Sequence, residues 1–107
     1  MDAFSELYKT VLERKANAQA GSYTGYLFAQ GLDKILKKLG EECAETIIAA
    51  KNGAKAELIG ELSDLAFHAA VLMAQCDVAP ADIAAELGRR GEKVGNLKVF
   101  HQVDKNT

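Results

Sequence analysis

The chain has 107 residues, a net charge of -2, and a composition that is 49% hydrophobic and 26% charged. This length suits one small domain with a hydrophobic core and leaves no space for a separate cofactor-binding domain. The nearly balanced charge and ordinary hydrophobic content argue against a disordered chain and against a basic nucleic-acid-binding protein, so we expect no nucleic-acid partner.

The first part of the chain predicts one helix followed by a connector. Apolar residues recur three and four positions apart from Phe4 onward, which is the spacing of one helix face, and this helix should end near Gln19. Gly21 and Ser22 interrupt the pattern. The segment from 22 to 31 is predicted to be a structured connector with one short turn, capped by Ser22 or Thr24.

Two long helices are predicted next, over about Leu32–Asn52 and Lys55–Asp77, separated by the stop signal Asn52-Gly53. Their predicted apolar stripes are Ile35, Leu36, Leu39, Cys43, Thr46, Ile47 and Ala50 on the second helix, and Leu58, Ile59, Leu62, Leu65, Ala66, Ala69, Leu72 and Met73 on the third. Phe67 and Val71 project from the opposite side of the third helix. A helix that is apolar on two sides usually has two neighbours, and a domain this small cannot bury every apolar face, so we expect a homodimer.

Pro80 suits the first turn of a fourth helix, which contains the pair Arg89-Arg90, and the periodicity fades after Gly91. We therefore predict an all-α bundle of about four helices per chain, with a domain over 1–91 and a C-terminal tail over 92–107. Its two cysteines lack the CxxC spacing and lie in apolar helical patterns, which predicts reduced, buried thiols.

The stretch with fewest charges, 65–75, is shorter than the roughly 20 residues of a membrane-spanning helix. No secretory hydrophobic segment is visible at the N-terminus. We therefore expect a cytoplasmic protein that does not associate with membranes.

Carboxylates form two motifs that face each other across the predicted turn at Gly53. The second helix carries EExxE, and the third carries ExxD; the residues are Glu41, Glu42, Glu45, Glu61 and Asp64. At roughly 100° per residue, the members of each motif share one face, at the edge of the apolar stripe. Antiparallel packing of the two helices would bring the acidic strips together.

Such clustering of like charges requires a compensating cation, because carboxylates one turn apart repel each other. Oxygen ligands suit Mg²⁺ or Mn²⁺, and Mg²⁺ commonly combines carboxylates with water and substrate phosphate oxygens. Basic residues near the motifs can meet the remaining charge of a polyphosphate; these are Lys37, Lys38, Arg89 and Arg90.

The bland alternative is that these charges form a solvated helix face with ordinary ion pairs four residues apart. The ExxD motif weighs against it, because solubility does not require a second acidic strip at the matching edge of the next helix. His68, beside the same strip, is interpreted as a packing residue rather than a metal ligand.

At these motifs the sequence resembles the MazG-like all-α nucleoside triphosphate pyrophosphatase superfamily, and within it the phosphoribosyl-ATP pyrophosphatase family. The resemblance covers about residues 4–91 and includes Ser22-Tyr23-Thr24, the block KILKKLGEE over 34–42, and HAAVL over 68–72. Ser63 and Phe67 depart from the residues that the family often has, but every carboxylate is present.

The resemblance implies hydrolysis of phosphoribosyl-ATP between its α and β phosphates, the second step of histidine biosynthesis, by a Mg²⁺-dependent helical homodimer. It implies metal-site roles for Glu41, Glu42, Glu45, Glu61 and Asp64, without dividing ligands from the group that activates water. Glu41 or Glu42 is our choice for that group, and Ser22, Tyr23 and Thr24 are the expected substrate contacts. Two alternatives stay open: a housecleaning pyrophosphatase for deoxynucleotides, and a non-enzymatic dimerisation module.

Overall fold

A computed structural model describes residues 2–91, so the predicted tail over 92–107 lies outside the described residues. Within the described part the chain forms helices and no strand, which confirms the all-α prediction. The helices are α1 (Ala3–Ala16), α2 (Tyr23–Gln30), α3 (Leu32–Asn52), α4 (Lys55–Gln75) and α5 (Pro80–Gly91). Between residues 2 and 91, no helix combines the length and apolar character needed to cross a membrane.

The centre of the fold is the hairpin of α3 and α4, which make the most extensive contact between helices. Gly53 ends α3 with a φ of 72°, and its N–H donates to the carbonyl of Ala50. Glycine adopts this left-handed backbone without the steric cost that a side chain brings. The sharp turn that results lets α4 return antiparallel along α3, so the residues on both sides of the turn face each other.

The hydrophobic core lies at the end of the hairpin remote from this turn. It joins α1, α2, the first turn of α3 and the last turns of α4 through Tyr8, Val11, Leu27, Ile35, Ala70, Val71 and Ala74. Burying a side chain such as Val71 or Leu27 contributes about 1.5–3 kcal/mol. Because the apolar residues fill this end, the acidic residues occupy the half of the hairpin nearer the turn.

Two hydrogen bonds tie α1 to the last turn of α4 and to the loop that follows it. The hydroxyl of Tyr8 donates to the carbonyl of Val78 at 2.8 Å, and the ammonium of Lys15 donates to the carbonyl of Ala74 at 2.8 Å. The last carbonyls of a helix lack the usual partner within the helix, so Lys15 gives the carbonyl of Ala74 a donor in addition to the N–H of Asp77 at 3.5 Å.

The main departure from the predicted elements is α2, which is a helix of 8 residues where we predicted a connector with one turn. The hydroxyl of Ser22 accepts a hydrogen bond from the N–H of Gly25 at 3.0 Å and caps this helix. Residues 2–91 therefore contain five helices, where about four were predicted. The predicted bounds of α3 are confirmed, whereas α1 ends at Ala16 and α4 at Gln75, two or three residues earlier than predicted.

Of the apolar stripe predicted for α3, only Ile35 is fully buried in the single chain. Ile35, Glu42 and Ala49 are buried, whereas Ile47 of the predicted stripe is 65% exposed. Both cysteines, Cys43 and Cys76, are free but exposed, so the prediction of buried thiols is also wrong. The apolar residues of α3 spread over two sides of the helix, and periodicity does not tell which side the chain's own core covers.

Candidate metal centre

Three carboxylates from α3 and α4 converge near the turn of the hairpin. Glu42, Glu45 and Glu61 each offer one oxygen, and these three oxygens lie within 4.8 Å of one another. We call these three residues the acidic cluster. The two residues from α3 are three positions apart and therefore share one face, and the antiparallel return of α4 places Glu61 opposite them.

A threonine holds the two helices together beside the acidic cluster. The hydroxyl of Thr46 lies 2.8 Å from the carbonyl of Glu42 and 3.4 Å from the carbonyl of Glu61. A hydroxyl between two carbonyls donates to either, so Thr46 links the backbones that carry two of the three carboxylates. Sequence reasoning placed Thr46 only in an apolar stripe, and its spacing gave no signal of this contact.

Glu42 is the buried member of the acidic cluster, with 7% of its surface exposed. Its Oε2 atom is buried and has no hydrogen-bond partner. Burial raises the pKa of the Glu42 carboxyl, and it is raised further by a hydrogen bond that the protonated carboxyl donates to Glu45 and by charge repulsion from Glu45. A buried, unpaired carboxylate oxygen is costly, and a bound cation is one of the few partners that removes this cost.

Glu61 and Asp64 extend the negative charge along α4. The pKa of Glu61 is raised by burial first, and then by the charges of Glu45, Glu42 and Asp64. Asp64 also raises the pKa of Glu42, so it lies close to the acidic cluster although it is not one of the three converging groups. An adjoining cleft of about 410 Å³ has polar lining residues, which are Glu45, Asn52, Glu57, Glu61 and Asp64.

Glu41 lies apart from the acidic cluster, although it is adjacent to Glu42 in sequence. Its carboxylate is exposed and forms an ion pair with the ammonium of Lys38 at 3.0 Å. The hydrogen bond from Lys38 lowers the pKa of Glu41, opposite to the shift at Glu42. Neighbouring residues on a helix differ by about 100° in direction, which explains this division.

The structure places Tyr23, one of the predicted substrate contacts, near Glu42 of the acidic cluster. Its ring packs on the ring of Phe67 with 6.0 Å between centroids. Burial raises the pKa of Tyr23, while the nearby charge of Lys38 lowers it and that of Glu42 raises it. The hydroxyl of Ser22 is committed to capping α2, and Thr24, the third predicted contact, is half-buried in the first turn of α2.

The predicted basic residues divide into two groups. Lys38 lies near Tyr23 and Glu42, and Lys37, at the preceding position of α3, is exposed. Arg89 and Arg90, on α5, both form ion pairs with Glu86 of the same helix. Within residues 2–91, neither arginine forms an ion pair with the acidic cluster. The fold of one chain therefore does not bring the arginine pair to the carboxylates.

The raised pKa values of Glu42 and Glu61 predict that the metal-free protein loses stability as the pH rises above the ordinary pKa of a glutamate. Above the ordinary value of 4.5 for Glu42 and Glu61, the folded state binds more protons than the unfolded state, so the free energy of unfolding falls with rising pH. The lowered pKa of Glu41 has the opposite effect, because it makes the free energy of unfolding increase as the pH rises. Thermal melts at a series of pH values, recorded for the wild type and for Glu42→Gln, measure the contribution of Glu42 to this pH dependence. The variant should lack that contribution. An identical pH dependence in both proteins would contradict the prediction.

Comparisons with known proteins point to one family. The model of the family described as phosphoribosyl-ATP pyrophosphohydrolase matches residues 4–91. The chain is 51% identical over 98 residues to a phosphoribosyl-ATP pyrophosphatase of Clostridium novyi, covering 92% of this chain and 89% of the relative. It is 53% identical over 92 residues to a protein of the same name from Pelotomaculum thermopropionicum, covering 86% and 94%.

A longer relative carries the same region within a larger protein. The histidine biosynthesis bifunctional protein HisIE of Lactococcus lactis is 46% identical over 100 residues, which are 94% of this chain and 47% of the relative. The similarity therefore extends to proteins of two architectures, and in each it covers nearly the whole of this chain.

Proposed function

The chain belongs to the phosphoribosyl-ATP pyrophosphohydrolase family, and from this premise we propose that it hydrolyses phosphoribosyl-ATP to phosphoribosyl-AMP and pyrophosphate. Water attacks at the bond between the α and β phosphates, and the reaction is the second step of histidine biosynthesis in the cytoplasm. Residues 1–91 form the catalytic domain, and residues 92–107 are its C-terminal tail. The observation that carries this proposal within the fold is the acidic cluster with its unpartnered buried oxygen on Glu42.

The residues present fit a magnesium ion. The acidic cluster offers hard oxygen donors within 4.8 Å of one another, and Mg²⁺ prefers such donors together with water and phosphate oxygens. Glu42, Glu45 and Glu61 would hold the ion, with Asp64 beside them, and Mn²⁺ is a chemically acceptable substitute. When bound, the ion supplies charge neutralisation for the phosphate oxygens of the substrate.

The chain's own residues divide the remaining tasks. Glu42 is our choice for the group that orients the attacking water, because it is the buried carboxylate of the acidic cluster and its position beside the ion is therefore fixed by packing. Glu41 is the weaker choice, since its ion pair with Lys38 lowers its pKa. We propose that Glu41 instead positions Lys38.

Substrate contacts are proposed on both sides of the acidic cluster. Lys37 and Lys38 meet phosphate charge that the ion leaves unneutralised, and the segment 22–24 contacts the nucleoside part. For Arg89 and Arg90 the same role requires α5 to approach the acidic cluster of a second protomer, because in one chain both pair with Glu86.

A pyrophosphate-release assay with purified protein and Mg²⁺ tests the function. We expect phosphoribosyl-ATP to be converted to phosphoribosyl-AMP with a kcat/KM at least about 100-fold above that for the common dNTPs, which corresponds to about 2.7 kcal/mol. Turnover of dNTPs with little or none of phosphoribosyl-ATP would favour the housecleaning alternative. No nucleotide turnover at all would favour a dimerisation module.

We propose that two chains associate through the α3–α4 hairpin. Large apolar side chains are exposed on both of its helices; they are Leu32, Leu36, Ile47, Ile48, Ile59 and Leu62. Light scattering should report the mass of a homodimer. Ile47→Asp should shift the protein toward monomer because it places a charge on this face. Leu12→Asp, at an exposed position of α1 outside this face, should not. A wild-type protein that stays monomeric as its concentration increases would contradict the proposal.

A further inference from the structure

The imidazole of His68 is a buried polar group to which the proposed reaction assigns no task. It lies in α4 with 4% of its surface exposed. Its Nδ1 is 2.8 Å from the carbonyl oxygen of Asp64, and its Nε2 is 2.9 Å from the hydroxyl of Tyr23. The rings of Phe67 and Tyr23 pack edge-on against it, with centroids 5.0 and 5.8 Å away. Contacts on all these sides fix the orientation of the ring.

The carbonyl acceptor at Nδ1 fixes which groups donate and which accept in the two hydrogen bonds of His68. A carbonyl oxygen only accepts, so Nδ1 carries the proton and donates to Asp64. In a neutral imidazole the other nitrogen is then an acceptor, and the hydroxyl of Tyr23 donates to Nε2. The phenol of a tyrosine has an ordinary pKa of about 10, so Tyr23 carries its proton at neutral pH. The hydroxyl proton of Tyr23 is therefore engaged in the hydrogen bond to Nε2, so toward a ligand the Tyr23 oxygen can act only as an acceptor.

The position of Tyr23 identifies which part of a nucleotide this acceptor meets. The Tyr23 phenol is linked through His68 to the backbone of Asp64, beside the acidic cluster, and it is near Glu42 and Lys38. Tyr23 also lines an open depression of about 580 Å³ with Ser22, Gly25 and Tyr26. If the acidic cluster serves the phosphates, the next group along the nucleotide is the ribose esterified to the α phosphate. A phosphate offers no proton at neutral pH, whereas ribose hydroxyls are donors.

We propose that Tyr23, held in place by His68, accepts a hydrogen bond from a hydroxyl of the ribose that carries the triphosphate and thereby selects ribonucleotide over deoxyribonucleotide substrates. This inference rests on the proposed function, since it uses the acidic cluster as the phosphate site. Tyr23 is the specificity residue, and His68 is a positioning residue that acts through it.

The first test compares phosphoribosyl-ATP with its analogues that lack the 2′ or the 3′ hydroxyl on the adenosine ribose. We expect the wild type to prefer the full substrate over the 2′-deoxy analogue by about tenfold or more in kcat/KM, and a preference that responds only to the 3′ hydroxyl would overturn the proposal. Tyr23→Phe should lose this preference, mainly through a higher KM for the full substrate, while its kcat/KM for the disfavoured analogue stays near wild type. Equal use of all three substrates by the wild type would overturn the proposal. So would an equal loss on all three in the variant.

A pair of histidine variants tests the positioning role. The amide of glutamine reaches the position of Nε2, so His68→Gln can retain a partner for Tyr23. The amide of asparagine reaches only the position of Nδ1, so His68→Asn retains the contact with Asp64 and leaves Tyr23 free. We expect His68→Gln to keep the ribose preference and His68→Asn to lose it, with no further loss in the double variant with Tyr23→Phe. Equal behaviour of the two histidine variants would contradict the role of His68.

Controls separate this proposal from stability effects and from failure of the proposed function. Tyr8→Phe also removes one hydroxyl that bonds to a carbonyl at 2.8 Å, but beyond the far end of α4, so it should lower the melting temperature without changing the ribose preference. Mn²⁺ affinity, followed by electron paramagnetic resonance, should be unchanged in Tyr23→Phe. If the wild type turns over no phosphoribosyl-ATP, the proposed function fails. Calorimetry with the α,β-methylene analogues of ATP and dATP then still tests Tyr23, and equal binding of both by the wild type would overturn its assignment.

Discussion

Glu42→Gln is expected to lower kcat/KM for phosphoribosyl-ATP by at least about tenfold, or about 1.4 kcal/mol of transition-state stabilisation. The substitution keeps the shape of the side chain and removes the charge at the one buried carboxylate of the acidic cluster. In the absence of metal, the same change should leave the melting temperature unchanged or slightly higher, because relief of repulsion is worth a few tenths of a kcal/mol per pair. The increase in melting temperature on adding Mg²⁺ should shrink, since a weaker site contributes less binding free energy to the folded state.

Parallel variants test whether the effect belongs to the site. Glu45→Gln and Asp64→Asn should change activity and the Mg²⁺-induced shift in the same direction as Glu42→Gln. Glu13→Gln, which removes an exposed charge on α1, should leave both at the wild-type level. If the carboxylates were only a solvated helix face, the three site variants would keep full activity, and the stability of the metal-free protein would drift slightly down. That combination would rule out the assigned site.

Removing divalent metal should abolish turnover. Glu45 and Glu61 approach Glu42 within 4.8 Å, and without a cation these carboxylates repel the triphosphate of the substrate. We expect no pyrophosphate release after dialysis against EDTA, recovery of activity with excess Mg²⁺ or Mn²⁺, and no recovery with Na⁺ at the same ionic strength. Undiminished turnover after thorough chelation would refute the proposed metal dependence.

The melting temperature provides a second readout of the same site. Ca²⁺ also prefers oxygen ligands, but it favours longer distances and more ligands than Mg²⁺. A metal that stabilises the fold without restoring activity would separate occupancy of the acidic cluster from catalysis. A melting temperature that does not respond to any divalent cation would contradict binding by the folded protein, because a ligand that binds only the folded state must stabilise it.

Much of the fold follows from local features of the sequence. The bounds of α3 are confirmed because Gly31 and Gly53 flank a long helical pattern, and Gly53 adopts a backbone that other residues rarely do. The start of α5 is confirmed because Pro80 suits a first helical turn. The positions of EExxE and ExxD on either side of the turn at Gly53 also predicted that acidic groups from α3 and α4 would lie close together. Local spacing determines these features because a helix has a fixed rise and rotation per residue.

The tertiary structure alone decided which carboxylates converge and which aromatic side chains lie beside them. The sequence offers Glu41 and Glu42 as equals, and only the packing of α4 on α3 buries Glu42 and leaves Glu41 to Lys38. The link from Tyr23 to His68 joins residues 45 positions apart, and no periodicity encodes such a contact. The sequence therefore determined the helices and the acidic strips, whereas burial and long-range hydrogen bonds depend on how α1, α2 and α4 pack around α3, which is set by the sum of many weak contacts between distant residues.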